Sequence, residues 1–311
     1  MKTLKNKVTI QPLWTSYIQC LKAVADYLEL GHSTAWIFGA SGHGFIMNLH
    51  PELCPSGPTA FVHTPIDVLA QNLGFSLLGT EFSKANPDFR TKQKQAFDMV
   101  RLAIENEMPT FAWELDVPEY CMIYGTDAEN YLFYDLKGKP MKKPWETLGE
   151  SEIGMVSIKS ANPEGKKADI IKTLKDSFAF ALEFSKGNKE WVFPGYHSGL
   201  KAYTAWIDAL QEGKANHFGL GYNSQVWAEG KSHACEFLRE AKAGLKTKVL
   251  DNLIEHYDVI SWSMQKVAAL FPLGGADFDA EKTDTAADAL FLAKEAEKSA
   301  LAEMKLLLSQ L

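Results

Sequence analysis

Cys20 is the residue whose type and position most directly suggest chemistry. It lies near the start of an apolar stripe of helical period that spans residues 14–30, and the peptide dipoles at a helix N-terminus favour a reactive thiolate. A free cysteine between Ile18 and Leu21 also fits a small buried hydrophobic side chain. The nucleophilic role further requires a histidine from elsewhere in the chain.

A glycine-rich segment, Ser41-Gly42-His43-Gly44, is a second candidate for chemistry. Backbone N–H groups in such a loop can come close to an anion or an oxyanion, and His43 could act as a base. The segment lacks the Lys and the Ser or Thr of a phosphate-binding loop, so an ordinary turn is the alternative.

Two acids and a thiol lie where a predicted strand ends and a hairpin begins, namely Glu114, Glu119 and Cys121. Alternation along TFAWEL places Glu114 on the face opposite Phe111 and Trp113. If that face points inward, Glu114 is a buried acid with a raised pKa and a candidate general base. If it points outward, Glu114 is an ordinary solvated side chain.

The second half of the chain has two segments rich in aromatic residues and histidine, and they contain His197 and Tyr203. Tyr203 and Trp206 share one face of a predicted helix, where they either cover a ligand pocket or pack between helices. His233 and Cys235 are too close in a helix to face the same way, and no third ligand has a suitable spacing. We therefore expect no metal site and no cofactor.

The elements that must position these residues change in character along the chain. Up to about residue 160, helical stripes alternate with strand patterns, whereas nearly everything after residue 161 has helical period. The composition of KSANPEGK, residues 159–166, is typical of a linker. We predict an α+β fold, with an α+β domain over residues 1–160 and an all-helical domain over residues 161–311. The predicted elements are helices 14–30, 65–73 and 89–108, strands FSLLGTEF, TFAWEL, YCMIYG, YLFYDL and GMVSIK, and helices 168–186, 197–211, 223–242, 246–270 and 283–311.

The bulk composition disfavours several classes of protein. The net charge is −7, and Lys and Arg mostly stand beside Asp and Glu, so no basic face for nucleic acid is expected. No run approaches the ~18 consecutive apolar residues of a membrane span, and no signal peptide is recognisable. The amphipathic C-terminal helices offer a surface for homo-oligomer formation. Four widely spaced cysteines predict neither a disulfide framework nor a zinc site, and they favour a cytoplasmic protein: Cys20, Cys54, Cys121 and Cys235.

The order of these features resembles that of papain-like cysteine proteins. An early cysteine in a helix, the segment FGASGHGF, and a strand that follows Met108-Pro109 are similar to the N-terminal domain of the butirosin-biosynthesis acyltransferase type. A more distant similarity is to bacteriocin-processing double-glycine peptidases. The resemblance covers about residues 11–160 and implies a papain-like domain, a helix with an antiparallel sheet, in that region.

The resemblance also implies roles for individual residues. Cys20 takes the position of the nucleophile, and Asp135 takes that of the orienting carboxylate. The position of the catalytic histidine falls at Glu119 or Tyr120, neither of which is an imidazole. The loop of the family corresponds to Gly39, Gly42 and Gly44.

Two functions follow as expectations. One is a cysteine-dependent acyltransferase or amide-bond hydrolase that acts on a small molecule or an acyl group, with His43 or His197 as the base. The other is a catalytically inactive relative that binds a small ligand in the cleft between the domains. In both cases the residues expected around the ligand are Gly42, Glu114, Glu119, Cys121, His197 and Tyr203.

Overall fold

The computed structural model describes residues 1–166, 168–274 and 279–311. The chain forms two compact units, which we call the sheet unit (Met1–His32 with Leu73–Lys167) and the helical unit (Ser33–Asn72 with Ala168–Leu311). The elements in chain order are β1 (Lys2–Thr3), α1 (Ser16–Tyr27), α2 (Thr34–Ala40), β2 (Asn48–Leu49), α3 (Thr64–Leu69), β3 (Phe75–Ser83), α4 (Phe89–Glu105), β4 (Thr110–Trp113), β5 (Tyr120–Thr126), β6 (Asn130–Tyr134), β7 (Pro140–Pro144), β8 (Met155–Pro163), α5 (Ile170–Ser185), β9 (His197–Ser198), α6 (Leu200–Gln211), α7 (His217–Leu245), α8 (Asp251–Leu270) and α9 (Ala280–Gln310).

The sheet unit is built on an antiparallel sheet with the strand order β3-β8-β4-β5-β6-β7, and β1 pairs with β5. The central strand β4 places Thr110 between Ile123 of β5 and Ser160 of β8. The predicted hairpin is confirmed as β5 and β6. The sequence patterns missed β7, PMKKP, because a segment with two prolines and two lysines does not look like a strand.

The core of the sheet unit forms where α1 and α4 pack against the sheet. Helix α1 buries Ile18, Leu21 and Val24 on its apolar stripe. At its start, Tyr17 makes edge-to-face contacts with Phe111 and Tyr120, with ring centroids 5.4 and 5.0 Å apart. Since aromatic pairs of this geometry stabilise beyond the area they bury, the start of α1 is held firmly on the sheet.

The helical unit packs α7 against α8, α8 and α6 against α9, and α2 against α7. The last contact is very close, because a Cβ added at Gly39 would lie 1.9 Å from the ring of Phe237. A predicted helix start at residue 197 is wrong, since His197 and Ser198 form strand β9, which pairs with β2, and α6 begins at Leu200. Similarly, the predicted helix 246–270 begins only at Asp251.

The two units differ from the predicted domains in one segment. Residues 33–72, which the sequence patterns placed in the first domain, cluster with the helices of the second unit. The predicted linker 159–166 is partly wrong, because its first five residues complete β8 and pair with β3. Composition alone does not reveal such pairing, since the partner strand lies about eighty residues earlier.

The architecture is α+β, with the antiparallel sheet in the N-terminal half and helices through the C-terminal half. Among the described residues, no helix combines the length and the apolar character needed to cross a membrane.

Candidate functional site

Cys20 lies in the interior of the sheet unit. Helix α1 begins at Ser16, so Cys20 is already past the first turn, where the helix dipole would act on it most strongly. Its side chain is fully buried, and its Sγ makes no hydrogen bond to any residue that the structure describes. Burial, with smaller contributions from Cys121 and Glu119, raises the pKa of the Cys20 thiol well above its usual value. This is the opposite of the condition that a thiolate nucleophile requires.

Cys121 interacts electrostatically with Cys20, and Asp135 interacts in the same way with Cys121. Burial raises the pKa of Cys121 to about 12, and the charges of Asp116, Glu119 and Asp135 add to that effect. The Asp135 carboxylate accepts the backbone N–H groups of Lys137 and Lys139 at 2.9 and 2.8 Å. Asp135 therefore closes the turn between β6 and β7, as Asp commonly does in turns, and it makes no contact with an imidazole among the described residues.

Glu119, at the position where the resemblance expects a histidine, has a structural contact. The Ser16 hydroxyl donates to the Glu119 carboxylate and accepts the backbone N–H of Tyr120 at 3.0 Å. Through these bonds the first residue of α1 is tied to the start of β5. This contact gives Glu119 a positioning role in the fold.

Glu114 is buried, which is one of the two possibilities that its strand pattern left open. Its side chain is only 8% exposed, and its Oε2 accepts the Ser151 hydroxyl at 2.7 Å. Strand alternation does not extend to Glu114, because β4 ends at Trp113 and Glu114 has a φ of +59°. A positive φ outside glycine is uncommon and stores local strain.

His43 lies in the interior of the helical unit. It follows Gly42 in a short 3₁₀ turn and stacks on Trp227 with ring centroids 6.1 Å apart. Its Nδ1 has no hydrogen-bond partner among the described residues. Burial, with smaller contributions from His63 and Lys231, lowers the pKa of His43 to about 3. His43 is thus a neutral, buried imidazole at physiological pH.

The glycine-rich segment is a packed turn and does not form an open cradle. Gly42 has a φ of +78°, and an added Cβ would lie 2.4 Å from the ring of Phe180. Glycine is therefore required at this position both by the backbone and by the neighbouring ring. Of the two interpretations of the segment, the structure favours the turn.

Tyr203 is buried within the helices. Its hydroxyl donates to Glu297 at 3.2 Å, and Glu297 in turn pairs with Lys231. Trp206 on the same helix is also fully buried. The aromatic residues of α6 thus pack between helices, the second of the alternatives that their spacing allowed.

His197 lines a cavity of about 350 Å³ within the helical unit. The walls are the loop that follows α5, strand β9 and the first turn of α6. A volume of this size is at the lower end of the range for small-molecule sites, about 300–1,000 Å³. The lining residues are Gly187, Lys189, Val192, Phe193, Pro194, Gly195, Tyr196, His197, Ser198 and Lys201.

The floor of this cavity is held in place by side-chain contacts. The Tyr196 hydroxyl shares a hydrogen bond of 2.7 Å with the Ser56 hydroxyl, and its ring makes an edge contact with His50. The buried Ser198 hydroxyl donates to the carbonyl of Phe184 at the end of α5, at 2.7 Å. Pairing of β9 with β2 fixes the backbone of His197 and Ser198. The Tyr196 side chain and this backbone are therefore positioned before any ligand arrives.

The electrostatics of the cavity favour an anion. Lys189 and Lys201 are both exposed, and neither forms an ion pair with a described residue. Among the residues that the structure describes, no acidic side chain lines the cavity. Leu200 begins α6, so the positive end of that helix dipole adds to the same field.

The sequence-predicted residues are distributed over both units. Cys20, Cys121, Glu119 and Asp135 share one region of the sheet unit. In the helical unit, His197 lines the cavity, while the other candidates are packed in the interior. The cavity residues that the sequence patterns missed are Lys189, Phe193, Tyr196 and Lys201, although Pro194-Gly195 within an aromatic segment signals a turn that could form a binding loop.

Comparisons with known proteins add no family to this description. No protein-family model matches the chain, and no curated protein matches it either. Within the described ranges, no group of three or more His, Cys, Asp and Glu side chains is arranged to hold a metal ion.

Proposed function

We propose that this protein binds a small organic anion in the His197 cavity, and that it does so without cysteine-dependent catalysis. The proposal rests on two lysines that have no ion-pair partner among the described residues, Lys189 and Lys201. They line a cavity that has aromatic walls and, among its described lining residues, no acidic side chain. Cations at the rim attract and orient a negative group, while the apolar surface binds the remainder of the molecule.

The walls also indicate what accompanies the negative group. Phe193 is 43% exposed, which leaves part of its ring free to contact a ligand. Tyr196 and Val192 extend that apolar surface into the cavity. We infer that the ligand has one carboxylate or phosphate group attached to a small ring or branched apolar group, because a fully polar ion would leave these side chains unused.

The buried state of Cys20 supports binding over catalysis. A covalent acyl-enzyme would need a thiolate that a substrate can reach, whereas the Cys20 thiol is fully buried and its pKa is raised. No observation favours the acyltransferase or hydrolase hypothesis over the binding hypothesis, so we retain only the latter.

Ligand-observed saturation-transfer NMR tests the proposal with three probes: benzoate, phenyl phosphate and the neutral benzyl alcohol. Benzoate or phenyl phosphate should bind, and comparison of the two identifies the preferred anionic group. Benzyl alcohol should bind at least about tenfold more weakly, since it lacks the charge that the lysines recognise.

Two lysine pairs provide the matched comparison. Lys189→Gln/Lys201→Gln should weaken binding of the anionic probe about tenfold. Lys137→Gln/Lys139→Gln, which removes the same charge from the exposed turn between β6 and β7, should leave it unchanged. Equal affinity of the first variant and the wild type, or equal affinity for benzyl alcohol, would contradict the proposal.

A further inference from the structure

A second cluster of positive charge lies where α7 meets α8 in the helical unit. A surface pocket of about 580 Å³ is lined there by four cationic side chains and by the apolar side chain of Ile254. Thr247, in the turn between the helices, adds a hydroxyl to the lining. The four cations are Arg239, Lys242, Lys246 and Lys248.

Two of the four cations are neutralised by carboxylates of α8. Arg239 pairs with Asp258, and Lys242 pairs with Asp251 at 2.5 Å. Lys246 and Lys248 form no ion pair with any residue in the described ranges. Four cations and two carboxylates leave an excess of two positive charges around one pocket.

Helix-terminus electrostatics explain only part of this cluster. Lys242 and Lys246 stand at the C-terminal end of α7, where a cation interacts favourably with the helix dipole. Lys248 is different, because it stands just before the N-terminus of the 20-residue helix α8. The dipole therefore does not account for Lys248, and the carboxylate of Asp251, the first residue of α8, is already paired with Lys242.

The turn also offers hydrogen-bond donors. The residue that precedes α8 is Leu250, so no side chain caps the first turn of that helix. The Thr247 hydroxyl accepts the backbone N–H of Val249 at 3.2 Å, which leaves its own proton free to donate. Charged and neutral donors thus face the same pocket as the excess charge.

From this arrangement we propose that the pocket between α7 and α8 binds a phosphate group of a small molecule, as a phosphate monoester or a diphosphate. A dianion matches the excess of two charges, and its several oxygens can accept from both lysines and from Thr247 at once. The apolar surface of Ile254 contacts the part of the molecule that carries the phosphate. This site shares no lining residue with the His197 cavity.

Amide NMR of the full-length protein tests the site, with pyrophosphate as the probe and sodium chloride at matched ionic strength as the control. Pyrophosphate should shift the amides of residues 246–253 with a saturating dependence on concentration. Lys246→Gln/Lys248→Gln should weaken that binding at least about tenfold, because it removes the two unpaired charges. Lys137→Gln/Lys139→Gln has the same spacing and the same loss of charge, and it should bind as the wild type does.

Several results would overturn the phosphate site. These are the absence of a saturable shift at residues 246–253, an equal shift with sodium chloride, and unchanged binding by Lys246→Gln/Lys248→Gln. Shifts confined to residues 187–201 would also overturn it, since the probe would then occupy the other cavity. Loss of pyrophosphate binding leaves the benzoate experiment unaffected, so the two proposals fail independently.

Discussion

Lys231 of α7 and Glu297 of α9 form an ion pair inside the helical unit, with Nζ 3.0 Å from Oε2 and with side chains that are only 1% and 3% exposed. Lys231 also donates to the carbonyl of Phe45, and Tyr203 donates to Glu297. Burial lowers the pKa of Lys231, while the charge of Glu297 acts in the opposite direction. A buried pair of this kind is stabilising only as long as both partners are present.

Removal of one partner should therefore be costly. Lys231→Met leaves the Glu297 carboxylate buried without its counter-ion, and we expect a loss of about 3–5 kcal/mol in unfolding free energy. Guanidinium unfolding followed by helical circular dichroism measures it. The double variant Lys231→Met/Glu297→Met removes both charges and should be more stable than the single variant. A double variant that is less stable than Lys231→Met would contradict this expectation, because it would mean that Glu297 stabilises the fold through other contacts, such as its bond to Tyr203.

The buried His43 should make the protein less stable in acid. Its pKa is about 3 in the folded protein, whereas an unfolded chain has about 6.5. Between these values the unfolded chain binds a proton that the folded chain does not, so stability falls as the pH drops below about 6.5 and continues to fall until about 3. The loss from this residue between about pH 7.5 and about pH 5 is ~2 kcal/mol.

Urea titrations at the two pH values measure this effect. His43→Leu should lose ~2 kcal/mol less than the wild type over that interval, whatever its absolute stability. An unchanged pH dependence in His43→Leu would mean that His43 is protonated as easily in the folded protein as in the unfolded one.

Thiol labelling should distinguish Cys54 from the other cysteines. Cys54 is half-buried, and the remaining three are buried with raised pKa values: Cys20, Cys121 and Cys235. With iodoacetamide at neutral pH, mass spectrometry should find Cys54 modified first. Cys20 should react on the order of 100-fold more slowly, because iodoacetamide can reach its thiol only when the structure around it unfolds locally. Rapid labelling of Cys20 in mild acid would instead revive the cysteine-enzyme hypothesis.

A substitution at Gly42 should be much more damaging than one at another left-handed glycine. Gly42→Ala combines a φ of +78° with a contact of 2.4 Å to Phe180, and we expect a loss of about 2–4 kcal/mol. Gly213 has a similar φ of +65° and open space around it, so Gly213→Ala should cost only about 1 kcal/mol. Thermal unfolding of the two variants compares them. Equal losses would mean that the Phe180 ring moves aside freely.

The class of the fold and most of its helices could be predicted because helical periodicity is local. The apolar stripe of α5, with Leu174, Phe178 and Ala181 buried, placed that helix within two residues of its observed ends. The hairpin of β5 and β6 was equally clear, since its strands alternate with a short polar turn. In contrast, the helical pattern wrongly predicts the start of a helix where β9 lies, because the pairing of His197 with Leu49 joins residues far apart in the chain.

The sequence by itself determined which residues could react, and the tertiary structure decided which of them can. Cys20 and His43 have the right chemical types, but burial raises the pKa of one and lowers that of the other. The sequence patterns predict His197 at the start of a helix, whereas the folded chain places it in β9 and puts Lys189 and Lys201 around the same cavity. Side-chain type and periodicity are properties of neighbours in sequence. Burial, charge pairing and cavities depend on contacts between distant segments, so they emerge only from the complete fold.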